Sequence, residues 1–360
     1  MKIGISTTAF FPYEHNLGIS NTVYLITKVL REKYAIDVSV YTPGTKDMEK
    51  KEEFNGIEIK RFPFRRVLTD WTISTSLFNA LKTGGFDLIH SFHYGYFPAT
   101  AGFFAAKSVK LPHILTTSYH PGQSTLLKSS MMKLYNTVHG RFLLKDSVKV
   151  LPQNEDELNH LRKITDFNYD LIPCPINNGI FYPSKNKSNK ITILFMGTLV
   201  PWKGADIAFN ICKQLEKEYN NLRFVFIGIG ALESQLKKHG GKNFIFLKNL
   251  PQNVLGKWVR GADIFLYPTR YESFGRVIAE AEMSGLPVIS TRVGAVPETV
   301  GNGGFIVDYG DWGKMKGYAS MLIEDAELRK RTSKKAVKHS RQFADDVVAT
   351  RIYNIYKESL

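Results

Sequence analysis

Short, strand-like apolar runs alternate with helix-like segments along the chain, in two series. The second series begins afresh after residues 172–190, where Pro, Asn and Lys are crowded together. In order, the runs are KIGIST, DVSVYT, IEIKRFP, FDLIHSF, HILTTSY and VKVLPQ, and then ITILFMG, LRFVFIG, FIFLKNL, DIFLYPT, PVISTR and GFIVDYG. Such alternation is typical of parallel sheets with crossover helices. The pattern predicts an α/β fold of two doubly wound domains, with the boundary between residues 178 and 190.

The two series set the expected domain bounds. We assign residues 1–180 to an amino-terminal domain, residues 181–342 to a carboxyl-terminal domain and residues 343–360 to a final helix. A chain of 360 residues is long enough for two domains that each bury a core. Because ligands of doubly wound sheets bind outside the carboxyl ends of the strands, we expect a ligand site in a cleft between the domains.

Charge restricts the class of partner. The chain has 48 Lys and Arg residues against 33 Asp and Glu residues, a formal net charge of +15 that favours a negatively charged partner. Nucleic acid, a phosphorylated substrate and an anionic membrane all meet that requirement. No basic and aromatic segment matches a known nucleic-acid reader, so we expect no nucleic-acid partner.

Targeting signals and cysteine usage indicate the compartment. The start MKIGIST reads as a buried strand and predicts no signal peptide. The longest charge-free window, residues 88–106, contains histidines, a proline and several hydroxyl residues, and predicts no transmembrane helix. Cys174 and Cys212 are too few and too isolated for a disulfide framework or a zinc site. These features predict a cytoplasmic protein.

The segment YESFGRVIAEAEMSG, residues 271–285, places two glutamates around a predicted helix start. The helix is expected to begin near Ser273 or Phe274, with Ser273 as a candidate cap, and to end at Gly285. Eight residues of helix rise about 12 Å and turn about 80° in net direction, so Glu272 and Glu280 can face one groove.

Between these glutamates, the N–H groups of residues 273–275 form a candidate anion site, and Gly275 allows close approach. This order of binding groups fits a nucleoside diphosphate sugar. Glu272 would hydrogen-bond the transferred sugar, the helix start would bind the diphosphate, and Glu280 would bind the ribose. The same spacing also fits two surface charges, with Glu280 paired to Arg276 at i, i+4.

Several motifs resemble those of the retaining glycosyltransferases of family 4. ESFGRVIAEAEMSGLPVIST followed by VGAVPETV resembles the family signature of Glu, seven residues, Glu and a Gly-x-Pro-Glu run. FMGTLVPWKG, VFIGIG and GADIFLYPT resemble further family motifs, so the resemblance covers nearly the whole second domain. It implies the GT-B fold, in which two Rossmann-like domains face each other across a cleft. It also implies a nucleotide-sugar donor and a final helix that crosses back to the first domain.

The first domain resembles the family more weakly. HNLGISNTVYLI is similar to the family's glycine loop, which implies that Gly18 lies over the diphosphate. DLIHSFH and TTSYHPG resemble its histidine segments. His120 falls where the family has a histidine near the donor sugar, whereas outside this set of motifs it would be read as a structural histidine.

The resemblance implies a complete donor site. The expected catalytic residues are His120, Lys203 and Glu272. The expected donor-binding residues are Gly18, Gly197, Thr198, Lys203, Leu250, Glu272, Ser273, Phe274, Gly275 and Glu280, and the loop around Asn249 and Leu250 is expected to contact the base.

The departing diphosphate needs its growing negative charge neutralised. No Asp-x-Asp pair stands at a strand end to hold a metal, so we expect neither metal nor cofactor, and Lys203 together with the helix start would serve instead. One departure matters, because the family has Arg where this chain has Thr198. Either Lys203 suffices alone, or another arginine reaches the phosphates, with three candidates: Arg270, Arg276 and Arg292.

The acceptor is suggested by an acid-free run. No acidic residue lies between Asp87 and Asp146, whereas six basic residues do: Lys107, Lys110, Lys128, Lys133, Arg141 and Lys145. Apolar residues share one helical side there, namely Leu127, Met131, Leu134, Val138 and Phe142. That side would either pack on the first sheet or lie on an anionic membrane surface, peripheral to its inner face. The second reading suggests a glycan or lipid-linked, anionic acceptor.

The function expected from these features is retaining transfer of a hexose from a nucleotide sugar to an acceptor hydroxyl. Two alternatives stay open: an epimerase or glycan phosphorylase of the same two-domain form, and a catalytically degenerate nucleotide-sugar-binding protein, which Thr198 would support. A dinucleotide dehydrogenase is disfavoured, because KIGISTTAFFPYEHNLG lacks a G-x-G-x-x-G turn after its first strand.

Overall fold

The computed structural model describes residues 1–12, 17–45, 47–68, 71–119, 126–184, 189–248 and 250–360. These residues form two compact units, residues 1–175 with 345–360 and residues 176–344. The second unit begins at Ile176, whose N–H donates to the carbonyl of Phe343 at 2.7 Å and which forms a β-bridge with Ala344. The bounds expected from the sequence, at residues 180 and 342, differ from these by a few residues.

The first unit is an α/β domain on a parallel sheet. Its elements are β1 Lys2–Ser6, α1 Leu17–Tyr34, β2 Asp37–Gly44, β3 Lys51–Phe54, β4 Ile57–Pro63, β5 Arg65–Leu68, β6 Trp71–Ile73, α2 Thr75–Thr83, β7 Leu88–Phe92, α3 Phe97–Ser108, β8 His113–Thr116, α4 Leu126–Tyr135, α5 Arg141–Asp146, β9 Lys149–Leu151 and α6 Glu155–Arg162. The sheet order is β3-β4-β2-β1-β7-β8-β9, and β5 and β6 form a separate hairpin. All neighbouring strands of the sheet are parallel except β3 and β4. Ile3 and Ile5 on β1 and Val38 and Val40 on β2 are alternate residues that are buried in one apolar cluster on one face of the sheet.

The second unit repeats this architecture. Its elements are β10 Ile191–Met196, α7 Ala205–Glu218, β11 Leu222–Ile227, α8 Glu233–His239, β12 Phe244–Leu247, α9 Gln252–Arg260, β13 Ile264–Tyr267, α10 Arg276–Met283, β14 Val288–Thr291, α11 Val296–Val300, β15 Gly304–Val307, α12 Trp312–Glu324 and α13 Ala326–Ser340. The six strands are all parallel, in the order β12-β11-β10-β13-β14-β15. The expected α/β class with parallel sheets is confirmed.

The last helix, α14 Asp345–Ser359, returns to the first unit. Its Tyr353 ring stacks on Tyr34 with centroids 3.9 Å apart, and the hydroxyl of Tyr356 hydrogen-bonds His90 Nδ1 at 2.7 Å. The end of the chain therefore completes the core of the first sheet. Within the described ranges, no helix combines the length and apolar character needed to cross a bilayer.

Glu282 on α10 is an unusual member of the core of the second unit. Its side chain is buried, and neither carboxylate oxygen has a hydrogen-bond partner among the described residues. Burial raises the pKa of Glu282 well above its ordinary value. Because the folded-state pKa exceeds the unfolded one, its contribution to stability is greatest at low pH and is lost as pH rises through the folded pKa.

We therefore expect Glu282→Gln to be more stable than the wild type at pH 7, by about 2–3 kcal/mol, because the amide cannot ionise. The gain should shrink towards zero near pH 4, where the wild-type carboxyl is protonated in both states. Thermal denaturation between pH 4 and 8 measures this, with Glu327→Gln on the exposed side of α13 as the control. A gain that does not change with pH would contradict the account.

Candidate functional site

The candidate site lies at the carboxyl ends of the two central strands of the second sheet. β10 pairs with β11 on one side and with β13 on the other, so the connections after β10 and β13 lead in opposite directions across the sheet. Doubly wound sheets bind ligands in the crevice at such a switch point. Gly197 and Thr198 follow β10, and residues 268–275 follow β13.

Lys203, Glu272 and Tyr267 form a hydrogen-bonded cluster at this point. Lys203 Nζ donates to Glu272 Oε1 at 2.5 Å, and Tyr267 Oη donates to the same oxygen at 2.7 Å. The side chain of Glu272 is only 12% exposed, and that of Lys203 is 24% exposed. Burial raises the pKa of Tyr267 well above its ordinary value and the Glu272 carboxylate raises it further, so the phenol remains a donor. The cluster joins residues from two loops that are distant in sequence.

Gly204 fixes the position of Lys203. The chain makes a short 3-10 turn over Pro201–Lys203 and leaves it through Gly204 at φ +74°. A Cβ at Gly204 would lie 2.0 Å from the carbonyl oxygen of Pro268, the first residue after β13. Only glycine allows this approach, which holds the Lys203 turn against the loop that carries Glu272. The close approach of Gly204 to Pro268 therefore explains why a glycine follows Lys203 in the sequence.

The loop that carries Glu272 is fixed by two hydrogen bonds to its carbonyl groups. Ala295 N donates to the carbonyl of Glu272 at 3.0 Å, and the Thr299 hydroxyl donates to the carbonyl of Phe274. The ring of Phe274 is buried and packs edge-on against Phe343. Phe274, expected from the sequence as a donor-binding residue, therefore presents only its backbone to a ligand.

The helix after Glu272 starts later than the sequence suggested. α10 begins at Arg276, with Gly275 as its N-cap at φ +84° and no side-chain capping bond. The expected start near Ser273 with Ser273 as cap is wrong, because a left-handed residue cannot lie inside a right-handed helix. The N–H groups that lack an acceptor within the helix are those of its first turn, from Arg276. The candidate anion site therefore consists of the N–H groups that start at Arg276, and not of those of residues 273–275.

Glu280 is a buried side chain on α10. It is 5% exposed, and Arg276 Nη2 lies 3.4 Å from its Oε1. Burial raises the pKa of Glu280, and the guanidinium of Arg276 opposes that rise. The i, i+4 pair is therefore present, but it is not a pair of surface charges. A buried carboxylate with one lateral cation is suited to accepting hydrogen bonds from a ligand diol.

The other candidates have separate surroundings. Thr198 is exposed, and Leu250 is half-buried beside Asn249, which lies outside the described residues. The guanidinium of Arg270 lies 5.8 Å from the Tyr309 ring centroid, and Arg292 Nε pairs with Asp308 Oδ1 at 3.1 Å on the surface. Arg276, the third arginine considered, pairs with Glu280 as described above.

Of the two candidates from the first domain, the structure describes only Gly18. Gly18 is exposed and lies in the first turn of α1, in the first unit. His120 lies outside the described residues. No group of three or more His, Cys, Asp or Glu side chains suited to a metal ion occurs among the residues that the structure describes.

Tyr267 was not expected from the sequence. It ends the apolar run DIFLYPT and reads as a core residue, and its ring is indeed buried. The available signal was its hydroxyl group, since a buried tyrosine generally needs a hydrogen-bond partner.

The carboxyl edge of the first sheet contains two residues in the left-handed region that were also not expected. His93 follows β7 at φ +77°, and Ser118 follows β8 at φ +46°. His93 Nδ1 lies 3.1 Å from the hydroxyl oxygen of Thr8, which follows β1. Backbone strain of this kind clusters at functional sites, and no pattern in the sequence announces it.

Comparison with known proteins identifies the family and the fold of the chain. The family model described as Glycosyltransferase Family 4 matches residues 18–178, and the model described as glycosyl transferases group 1 matches residues 180–339. An uncharacterized glycosyltransferase of Methanocaldococcus jannaschii is 27% identical, over 99% of this chain and 98% of its own length. The D-inositol 3-phosphate glycosyltransferase of Corynebacterium glutamicum is 26% identical, over 95% of this chain and 92% of its own length.

Solved structures show the same fold. Sucrose-phosphate synthase from Thermosynechococcus elongatus aligns with a TM-score of 0.75 at 16% identity, over 99% of this chain and 98% of that one. HepE from Anabaena, solved in complex with UDP, aligns with a TM-score of 0.75 at 16% identity, over 99% and 100%. The two Rossmann-like sheets, the family models and these neighbours agree with the expectation from the sequence. The chain is therefore a GT-B glycosyltransferase, in Glycosyltransferase Family 4 through residues 18–178 and in glycosyl transferases group 1 through residues 180–339.

Proposed function

We propose that this glycosyltransferase moves a hexose from a nucleoside diphosphate sugar to an acceptor hydroxyl, with retention of configuration and without a metal ion. The observation that supports this best is the Lys203–Glu272 pair beside the start of α10, at the switch point of the second sheet. A lysine, a carboxylate and a helix start at one edge offer binding groups for a phosphate, a sugar hydroxyl and a second phosphate oxygen.

In the proposed reaction, the bond between the anomeric carbon and the diphosphate oxygen breaks, and a bond from the acceptor oxygen forms. Lys203 and the N–H groups of the first turn of α10 neutralise the charge that grows on the diphosphate. Glu272 accepts hydrogen bonds from hydroxyls of the transferred sugar, and Glu280 accepts them from the ribose. A front-face displacement, in which the leaving phosphate oxygen takes the acceptor proton, needs no protein nucleophile.

The comparisons favour a nucleotide sugar as the donor. HepE, which shares the fold, was solved with UDP and with UDP-glucose. Retention is carried over from the resemblance of the 271–299 segment to family 4. Thr198 in place of the family's arginine supports the second candidate function, a degenerate nucleotide-sugar-binding protein, because one expected phosphate-binding cation is missing.

Thermal denaturation with UDP, GDP, ADP and their common sugar conjugates, with and without EDTA, tests the donor. We expect one base to raise the melting temperature to the same extent in EDTA. A rise that EDTA abolishes would contradict metal independence. Failure of every nucleotide to raise it would overturn the donor proposal, and binding without turnover would favour the degenerate protein, in which Thr198→Arg should then restore activity.

The acceptor side of the proposal rests on an exposed apolar stripe in the first unit. Leu134, Val138 and Phe142 are 66%, 49% and 54% exposed. The helix that carries them is interrupted by a π-helical turn, Asn136–Gly140, between α4 and α5. Tyr135 and Leu143, on the opposite side, are buried in the core. These three side chains therefore do not pack on the first sheet, whereas Met131 of the same expected side is half-buried and the side chain of Leu127 lies outside the described residues.

The surroundings of this stripe are basic. Lys133, Arg141 and Lys145 are all exposed, and no acidic residue occurs between Asp87 and Asp146. Exposed apolar side chains flanked by cations suit the interface of an anionic bilayer. We infer that the protein acts at the surface of an anionic membrane, on a lipid-linked or otherwise anionic glycan acceptor.

Sedimentation with vesicles tests this inference. The protein should bind vesicles that contain anionic lipid, more weakly at high salt, and should not bind purely zwitterionic ones. Phe142→Ser should lower the partition coefficient about tenfold or more, since each buried CH₂ contributes roughly 0.8 kcal/mol. Met321→Ser, which removes an exposed apolar side chain of the second unit, is the control. If the protein did not bind anionic vesicles at low salt, the inference that it acts at a membrane surface would be wrong.

A further inference from the structure

The buried carboxylate of Glu157 holds residues 117–119, which follow β8. Glu157 is 3% exposed, and its Oε1 accepts a hydrogen bond from the Thr117 hydroxyl at 2.6 Å and another from the N–H of Tyr119. Ser118, between these two donors, is the residue at φ +46°. One oxygen atom thus holds both sides of a left-handed residue.

The other oxygen of Glu157 holds the neighbouring loop. Its Oε2 accepts a hydrogen bond from the N–H of Gln153, just after β9, at 2.7 Å. β8 and β9 are adjacent parallel strands, so the carboxylate joins their two loops at the carboxyl edge of the sheet. Ligands of such sheets bind at this edge.

The local sequence alone suggests a different role for Glu157. It is the third residue of α6, and its N–H donates to the side chain of the N-cap Asn154 at 2.9 Å. An Asn-x-x-Glu start favours a capping box, in which the glutamate would bond back to its own helix start. Here Oε2 does bond back, to the N–H of Gln153 one residue before the N-cap, while Oε1 reaches the β8 loop.

The loop that Glu157 holds is also connected to the strained turn after β7. The N–H groups of His93 and Tyr94 donate to the carbonyls of Thr116 and Thr117, at 3.0 and 2.8 Å. Residues 117–119 therefore set the backbone of two adjacent loops at the ligand edge. We propose that Glu157 is a positioning residue for sugar transfer, and that its carboxylate holds residues 117–119 in the conformation that the reaction requires. This inference rests on the proposed function.

The charge state of Glu157 matters because its three partners on the β8 and β9 loops are all donors. An ionised carboxylate accepts from all of them, whereas a protonated one must turn a donor of its own towards them. Burial raises the pKa of Glu157 to about 7, the three hydrogen bonds oppose that rise, and Asp156 on the same helix adds to it. As pH falls through this value, the carboxyl group can no longer accept hydrogen bonds from all three donors, and transfer should slow.

Lower pH has the opposite effect on the stability of the fold. Because the folded-state pKa of Glu157 is raised, its contribution to stability is greatest at low pH and falls as pH rises through about 7. Slower transfer at acid pH would thus occur without loss of stability. This difference separates a positioning role from a merely structural one.

The kinetic test compares the wild type, Glu157→Gln and Thr117→Val between pH 5.5 and 8.5. Glu155→Gln, which removes a charge from an exposed position on the same helical turn, is the control. We expect wild-type kcat to fall on the acid side with a midpoint near the Glu157 pKa of about 7. Glu157→Gln should lower kcat about tenfold and remove that acid limb, with KM for the donor changed less than about twofold. If Glu157→Gln kept both the kcat of the wild type and its fall in kcat at acid pH, the proposal would be overturned.

Amide hydrogen exchange provides a readout that needs no activity. Exchange at Tyr119 and Gln153 should be at least about tenfold faster in Glu157→Gln and unchanged in Glu155→Gln. If the wild type transfers no sugar from any donor, the proposed function fails while this prediction stands. If exchange does not change, the positioning role fails whatever the activity. Should Glu157→Gln not fold, Thr117→Val must still accelerate exchange at Tyr119, and no change there would overturn the proposal.

Discussion

Lys203→Met should lower kcat for sugar transfer about 10²–10³-fold, the usual cost of removing one preorganised group that stabilises transition-state charge. Methionine keeps the unbranched shape and most of the length of the side chain and removes its charge. Lys203 contacts Glu272 at the switch point of the second sheet, where the diphosphate is proposed to bind. The loss should appear in kcat more than in KM, because charge on the leaving group grows in the transition state.

Removing Lys203 also breaks its ion pair with Glu272. The controls separate the effect of the broken pair from the loss of positive charge near the diphosphate. Lys213→Met breaks a lysine–glutamate pair of similar geometry on α7, with Lys213 Nζ 2.7 Å from Glu216 Oε2, and should leave kcat unchanged. The double variant Lys203→Met/Glu272→Gln removes both charges and should still be slow. Melting temperatures of all variants show whether the fold is intact. Wild-type kcat in folded Lys203→Met would exclude Lys203 from the reaction.

Glu280→Ala should weaken binding of the free nucleoside diphosphate about 10–100-fold, because a hydrogen bond to a charged group contributes about 1.5–3 kcal/mol. Glu272→Ala should weaken it only slightly, since Glu272 is proposed to contact the transferred sugar, which the free diphosphate lacks. Calorimetry measures both affinities. Equal losses in the two variants would contradict the assignment of the ribose to Glu280.

Arg276 provides the control for this second prediction. Glu280→Ala leaves the guanidinium of Arg276 without its partner on α10, 3.4 Å away in the wild type, and could loosen the helix start. Arg276→Met breaks the same pair and leaves the Glu280 carboxylate in place. If the loss of affinity came from the helix and not from the ribose contact, Arg276→Met would reproduce it in full.

The sequence predicted the parts of the fold and site that depend on local pattern. Alternating apolar and helical runs require parallel sheets with crossover helices, and two such sheets are present. Lys203 and Glu272 were chosen separately, from two motifs, and the structure places them in contact. Both follow central strands of the second sheet, and the carboxyl ends of parallel strands meet at one edge.

What the sequence did not show depends on backbone conformation and long-range contacts. Gly275 adopts a left-handed conformation and delays α10, although Ser273 is the better cap by composition. Tyr267 reads as core until its partner Glu272 is located. Glu157 carries a local capping signal, yet its carboxylate also accepts a hydrogen bond from Thr117, 40 residues away on the β8 loop. Helical periodicity grouped Leu134, Val138 and Phe142 but gave no indication of whether anything covers them.

Proton NMR of donor turnover in EDTA tests directly whether the protein transfers sugar with retention and without a metal ion. The purified protein is incubated with the nucleotide sugar that raises its melting temperature, and the anomeric proton of the released or transferred sugar is followed from the first turnovers. We expect release of the nucleoside diphosphate in EDTA and a product with the anomeric configuration of the donor. A product of inverted configuration would contradict retention, and turnover only after a divalent metal is restored would contradict the role given to Lys203.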